Sequence, residues 1–264
     1  MTEPAPARDF LWLHLRELPY FRSMLRAVEA RLMREVVLPP PVLDLGCGDG
    51  HFAAVALDGV DIGVDRDRSS LREAGRRGVY RVRLQSQGGR LPLKTASLGS
   101  AFSNSVLEHM HALQDVLDEV GRALRHGAPF VFTVPNPGYR TQLSFPAWLR
   151  GAGLHGLARS YEDYFMWMSR TRNLYYQEGW AERLDAAGLT IERSFHYFSP
   201  SALHMLEWGH YFGAPCLLPR WFAGRWILAP TRWNLWLTDR LVRRYYDELP
   251  SSDGTYTFYL ARRR

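Results

Sequence analysis

Between residues 19 and 35 the apolar positions Phe21, Leu25, Val28, Leu32 and Val36 recur at helical spacing, which predicts an amphipathic helix. Short apolar runs then alternate with helical stretches. Strands are expected at 42–45, 62–65, 80–84, 100–104 and 129–134, the last ending at Pro135, with helices at 50–57, 68–77 and 113–124. Alternation of this kind predicts a parallel sheet covered on both faces, with the first helix lying over a pocket at the strand ends. Residues 139–176 break the pattern with short helical signals and the aromatics Tyr161, Tyr164, Phe165 and Trp167, and read as an insertion over the strand ends. A helix at 177–187 and a strand at 190–197 restore it. A long elaboration over 199–246 then precedes a final strand at 255–260, which returns antiparallel to the others.

The expected organisation is one domain over 1–264, with an N-terminal helical cap at 1–37 and helical, aromatic-rich lid insertions at 139–176 and 199–246. Hydrophobic residues make up 46% and charged residues 23%, a balance that excludes general disorder. The net charge of +6 permits anionic partners without choosing among nucleic acid, a membrane surface and a phosphorylated substrate. Lys94 is the only lysine among the 33 basic residues, which reads as base composition of the gene. Cys47 and Cys216 have no neighbour at metal-ligand or redox spacing, as expected for a reducing compartment. The first nine residues lack the basic start and apolar run of a signal peptide, so a cytoplasmic protein is expected. Arg220, Arg225, Arg232 and Asp239 interrupt the most apolar stretch and exclude a membrane span there, though not a helix lying on a membrane.

The chemistry begins at 42–50, Val-Leu-Asp-Leu-Gly-Cys-Gly-Asp-Gly, where an apolar strand enters a turn containing Gly46, Gly48 and Gly50. Side chains there would hold the backbone away from a bound ligand. Asp65 ends the next strand 19 residues beyond Gly46, near the offset at which Rossmann-like folds place a ribose-binding carboxylate. A nicotinamide-type G-x-G-x-x-G starting at Gly46 would require glycine at position 51, which is His51. The compact G-x-G-x-G, preceded by Asp44 inside the strand and followed by Asp65, resembles the class I S-adenosylmethionine-dependent methyltransferases. Segments 90–93, 103–110 and 180–189 are similar to further family segments, so the resemblance covers about 38–136, 177–197 and the last strand.

That resemblance implies a Rossmann-like, doubly wound, seven-stranded α/β sheet, mostly parallel with a last antiparallel strand, and S-adenosylmethionine as cofactor. It implies that Asp44, Gly46, Cys47, Gly48 and Gly50 contact the methionine part and that Asp65, with Arg66 beside it, holds the ribose hydroxyls. Gln87 and Gly88 fall where relatives cradle adenine, Gln87 standing where they commonly carry Asp, and Asn104 closes the set at the end of the fourth strand. His109 is the expected base, because it follows the fourth strand and an imidazole accepts a proton near neutral pH. Tyr164, His155 and His196 are further candidates, each also readable as structural. Some relatives bind a metal here through an extra acid, but the aligned position is Ser105, so Glu108 and His109 are expected to hold none. Asn136, between Pro135 and Pro137, reads as part of a rigid loop.

Between 198 and 246 lie Trp208, Tyr211, Phe212, Trp221, Phe222, Trp226, Trp233 and Trp236. They read either as a lid packing on the sheet and lining an apolar acceptor pocket, or, with Arg220, Arg225 and Arg232, as a membrane-facing patch. The expected activity is methyl transfer to a small or amphipathic acceptor at oxygen, of saccharide, lipid-linked or secondary-metabolite type. An RNA acceptor is the alternative, against which stands the absence of a recognisable RNA-binding module. A non-catalytic cofactor-binding module is a further one. The oligomeric state is not legible.

Overall fold

The computed structural model describes residues 8–264; the first seven residues of the expected N-terminal cap lie outside the described residues. Chain order runs α1 (Phe10–Leu15), α2 (Tyr20–Arg34), β1 (Val42–Leu45), α3 (His51–Ala56), β2 (Val60–Asp65), α4 (Arg68–Arg77), β3 (Tyr80–Gln85) and β4 (Ser100–Asn104). It continues through a 3-10 turn (Leu107–His109), α5 (Leu113–Ala123), β5 (Pro129–Pro135), α6 (Gly138–Thr141), α7 (Ser144–Gly151), α8 (His155–Met168), α9 (Gln177–Ala186) and β6 (Leu189–Tyr197). Helices α10 (Pro200–Phe212), α11 (Leu217–Ala223) and α12 (Arg232–Tyr246) precede β7 (Tyr256–Arg263).

The seven strands form one sheet in the order β3-β2-β1-β4-β5-β7-β6. Every pairing is parallel except those of β7, which runs antiparallel to β5 and β6. Strand β5 is buried along its whole length because both of its faces are covered. Val131 points into the cluster of Met24, Val28, Phe102 and Phe258 beneath α2. Phe130 and Phe132 point the other way, to Trp180 of α9 and Leu117 and Val120 of α5. Phe132 stacks on Tyr259 with 4.8 Å between ring centroids, tying the antiparallel strand to the parallel ones.

The sequence patterns at α4, β1 and β4 match the observed elements end to end, and most others agree to within two residues. Within the expected helical cap at 1–37, where the apolar spacing marks only the helix at 19–35, lies helix α1. It is a six-residue helix capped by Asp9, which accepts from Trp12 N, and its Leu11 and Leu15 are buried between α2 and α12. Both insertions are helical, α6 to α8 and α10 to α12. Helices α10 and α12 pack against α2, so α2 is held from three sides over the C-terminal ends of the strands.

Candidate cofactor and acceptor site

The strand order reverses direction between β1 and β4, and in open α/β sheets ligands bind outside the strand ends at such a point. A cavity of about 410 Å³ opens there, floored by Asp44 and the 46–49 turn, walled by Ser69, Ser70 and Glu73 of α4 and by Asn104 and Val106. Arg22 and Arg26 of α2 and Arg220 and Trp226 from the second insertion roof it.

Two glycines of the turn are fixed by different demands. Gly46 has φ +79°, and a Cβ there would lie 2.4 Å from Val106 Cγ1. Gly48 has φ +53° but nothing within 4 Å of its missing Cβ, so the space beside it is open to a ligand. The backbone N–H groups of Gly46 and Cys47 both donate to Val64 O, and Gly48 N donates to Asp65 Oδ2 at 2.9 Å. The turn after β1 and the acid ending β2 are thus one hydrogen-bonded unit. Asp65 Oδ1 also accepts from Asp67 N at 2.8 Å. A carboxylate offers about four lone-pair sites, so each oxygen keeps capacity for a hydroxyl donor.

Asp44 is buried beneath the turn and accepts from Tyr80 Oη at 2.6 Å. Burial lifts its carboxyl to about 7 against the pull of the Tyr80 bond, and the charge of Asp65 adds to the rise. The Cys47 thiol is pushed far up by burial and by Asp44 and Asp65, so it stays protonated as a small apolar lining group.

Behind the cavity lies a buried polar cluster centred on Glu29, which the sequence reading did not single out. Glu29 of α2, fully buried, accepts from Arg26 at 2.9 Å, Asn104 Nδ2 at 2.7 Å, Ser105 Oγ at 2.5 Å and Tyr197 Oη at 3.2 Å. Asn104 also accepts from Thr133 Oγ1 at 3.0 Å, so both ends of its amide are committed within the protein although the residue borders the cavity. Ser105 holds φ +49°, a strained value for a residue with a Cβ, stabilised by its bonds to Glu29 and Thr133. The signal for Glu29 was a charge on the apolar stripe of a helix, between Val28 and Leu32.

The 3-10 turn after β4 carries Glu108 and His109. Glu108 is buried, its Oε2 has no partner among the described residues, and burial raises its carboxyl to about 8. His109 Nδ1 lies 3.0 Å from Arg170 O. A carbonyl only accepts, so Nδ1 carries the proton and Nε2 the lone pair, 3.7 Å from Glu108 Oε1. The His109 side chain is 43% exposed, and partial desolvation by the surrounding chain lowers its pKa below the usual value, which favours the neutral ring.

His109 is not among the residues lining the cavity, and neither are Gly50 and Asp65, the latter reaching it only through its bond to Gly48. Arg66 and Gln87, which are exposed, and Gly88, which is buried against Val116 and Leu45, also lie outside the lining. His155 sits exposed at the start of α8, Tyr164 is half-exposed on that helix, and His196 bonds Thr257 Oγ1 at 2.8 Å. Asn136 donates to Gly254 O at 2.8 Å and accepts from Gly138 N, fixing the loop after β5. No group of three or more acid, histidine or cysteine residues is placed to hold a metal among the described residues.

Residues 43–132, which contain the glycine turn, Asp65 and the β4 turn, match the model of the methyltransferase domain family. No curated protein is significantly similar in sequence. Among solved structures, an S-adenosylmethionine-dependent methyltransferase of Thermotoga maritima is 16% identical with a TM-score of 0.57, the match covering 93% of this chain and 91% of that one. An S-adenosylmethionine-dependent methyltransferase of Mesorhizobium loti is 16% identical with a TM-score of 0.52, covering 89% and 96%. Geranyl diphosphate C-methyltransferase of Streptomyces coelicolor A3(2), in complex with Mg2+, geranyl diphosphate and S-adenosyl-L-homocysteine, is 13% identical with a TM-score of 0.57, covering 93% and 84%. Residues 43–132 thus carry a methyltransferase domain, and the chain as a whole shares the fold of S-adenosylmethionine-dependent methyltransferases.

Proposed function

We propose that this enzyme transfers the methyl group of S-adenosylmethionine to an oxygen of a small or amphipathic acceptor, of saccharide, lipid-linked or secondary-metabolite type. The observation that carries the cofactor assignment is the bond from Gly48, which lines a cavity on the switch point of the sheet, to Asp65 beside it. The residues present suit that cofactor. Open space at Gly48 admits its backbone contact, Asp65 keeps lone pairs for two ribose hydroxyls, and Arg22 and Arg26 bring positive charge for a carboxylate. In this reading Asp44 and Cys47 complete the methionine end, and Arg66, Gln87 and Gly88, outside the cavity lining, are assigned to the ribose and adenine by the family resemblance.

When bound, the cofactor supplies a methyl group already activated by its sulfonium. The protein's part is to bind both partners, align the acceptor atom and take up the proton a hydroxyl loses. His109 is the base in this reading, supported by its neutral ring and the lone pair on Nε2. The free cysteines accord with work in the reducing cytoplasm.

The test is mass spectrometry of the purified chain with S-adenosylmethionine and a panel of hydroxylated amphiphiles, saccharides and RNA. A hydroxylated small molecule that gains one methyl group as S-adenosylhomocysteine forms supports the reading. Methylation confined to RNA, or at nitrogen or carbon, overturns the acceptor assignment, and absence of cofactor binding by calorimetry overturns the reading altogether.

A further inference from the structure

Helix α11 buries none of its residues. Leu217, Leu218, Trp221 and Phe222 are 56% to 78% exposed. A seven-residue helix that buries no side chain, and is tied to the rest of the fold through Arg220, gains little from tertiary packing, and helices this short are marginal in water on their own. Its apolar side chains therefore call for something outside the chain.

Helix α12 repeats the arrangement on its outer side. It buries Leu235, Val242, Tyr245 and Tyr246 and leaves Trp233, Trp236, Leu237 and Leu241 exposed, Trp233 by 88%. Ring contacts from Trp148 through Phe145 and Trp208 to Phe212 carry the aromatic surface from α7 to the end of α10, immediately before α11.

Charge identifies the occupant. Residues 199–246 hold six arginines and two acids, Glu207 and Asp239. Glu207 is buried, accepting from Ser144 and Phe145, and Asp239 pairs with Arg243. No acid of the segment is left to oppose the exposed Arg225, Arg232, Arg240 and Arg244. Exposed tryptophans interleaved with arginine suit the lipid interface, where the rings sit at headgroup level and the guanidiniums meet anionic lipid. A second copy of the chain would bring the same positive face against itself, which disfavours a symmetric dimer.

We propose that α11 and the outer side of α12 dock this protein on an anionic phospholipid surface, and that the methyl acceptor is an amphiphile drawn from it. The second half rests on the methyl-transfer reading. It follows from the position of the cavity roof: Arg220 of α11 and Trp226, between α11 and α12, both line the cavity. Trp226 sits between Arg22 and Arg220, 6.0 and 5.7 Å from their guanidinium carbons. A polar head entering from the lipid side would pass beneath Trp226.

The experiment is co-sedimentation of the full chain with vesicles of phosphatidylcholine alone or with about 30% phosphatidylglycerol. The chain is expected to pellet with the anionic vesicles and to be released by raised salt. Trp221→Ala with Phe222→Ala should lower vesicle affinity at least tenfold. S-adenosylhomocysteine binding by calorimetry should stay unchanged, since neither residue lines the cavity. The docking surface is refuted if the chain stays in solution with both vesicles or if the double variant sediments like the parent. It is also refuted if light scattering finds a dimer that the double substitution dissociates. Loss of cofactor binding in the parent would sink the methyl-transfer reading and leave the vesicle result standing, so the two failures are distinguishable.

Discussion

Tyr80, the first residue of β3, donates its hydroxyl to Asp44 in β1 across 2.6 Å, while its ring fills the space above Gly50 and Gly63. The bond favours the ionised carboxylate and burial opposes it, leaving Asp44 near 7. Folding raises this carboxyl from 3.8, so its contribution to stability is full below about pH 4 and is lost as pH rises through 7. A cationic ligand favours the opposite state. Cofactor affinity is therefore expected to increase from pH 6 to 8, with a proton released on binding at pH 6, as measured by calorimetry in buffers of different ionisation enthalpy. Tyr80→Phe keeps the ring and removes the bond, and should shift the midpoint of that dependence upward. A flat profile in the parent would place Asp44 away from the ligand's charge.

Asp65 holds the turn and keeps lone pairs outward, so Asp65→Ala should weaken S-adenosylhomocysteine binding at least tenfold by calorimetry. Asp65→Asn retains an oxygen for one hydroxyl and should fall between. Near-parental affinity for Asp65→Ala would remove the ribose assignment.

The contrast between the two glycines separates folding from binding. Gly46→Ala drives a methyl into Val106 at a left-handed φ and should destabilise the fold by about 3 kcal/mol. That corresponds to a melting shift of roughly 6–12 °C for a chain of this size. Gly48→Ala meets no atom, so its fold cost should be about 1 kcal/mol from backbone strain alone, while its methyl occupies the ligand's space. Thermal melting together with cofactor titration should find Gly46→Ala mainly unstable and Gly48→Ala mainly unable to bind.

What the sequence disclosed follows from how local each feature is. Strand β1, the glycine turn and Asp65 were legible because a tight turn after an apolar run has few solutions and the acid lies one strand away. Helix α1 was legible only as part of the helical cap, since a six-residue helix carries too few turns for periodicity and is held by α2 and α12, the latter more than 200 residues distant. Ser105 was read only for the acid it lacks. Its left-handed backbone depends on Glu29 and Thr133, contacts that exist only once α2 lies on the sheet. Arg22 and Arg26 look like an ordinary solvated helix face in sequence, and face the cavity because α10 and α12 fix the rotation of α2.

Glu29 is the keystone of that buried cluster, and a test of it is a test of how the N-terminal cap is held. Glu29→Ala would leave Arg26, Asn104, Ser105 and Tyr197 without their common acceptor, at about 3–5 kcal/mol by analogy with broken buried ion pairs. Glu29→Gln keeps acceptor capacity through one oxygen and should lose less. Urea denaturation of the three proteins should rank them parent, Gln, Ala. Equal stability of Ala and parent would mean that the cluster does not secure α2.

His109 can serve as base or as anchor, because the proton on Nδ1 that leaves Nε2 free also bonds Arg170 O and so fixes the chain after α8. A glutamine at 109 separates the roles: its amide can donate to that carbonyl and cannot take a proton. If His109 is the base, His109→Ala and His109→Gln should both lower turnover by about 100-fold with little change in cofactor affinity. If it only anchors, glutamine should restore turnover. The pH profile adds a second readout. Partial desolvation holds the His109 pKa below its ordinary value, so the acidic limb of kcat should fall below pH 6.5, with activity lost as pH drops through it. Both variants should abolish that limb along with most of the rate, and unchanged turnover in His109→Ala would take the residue out of the chemistry.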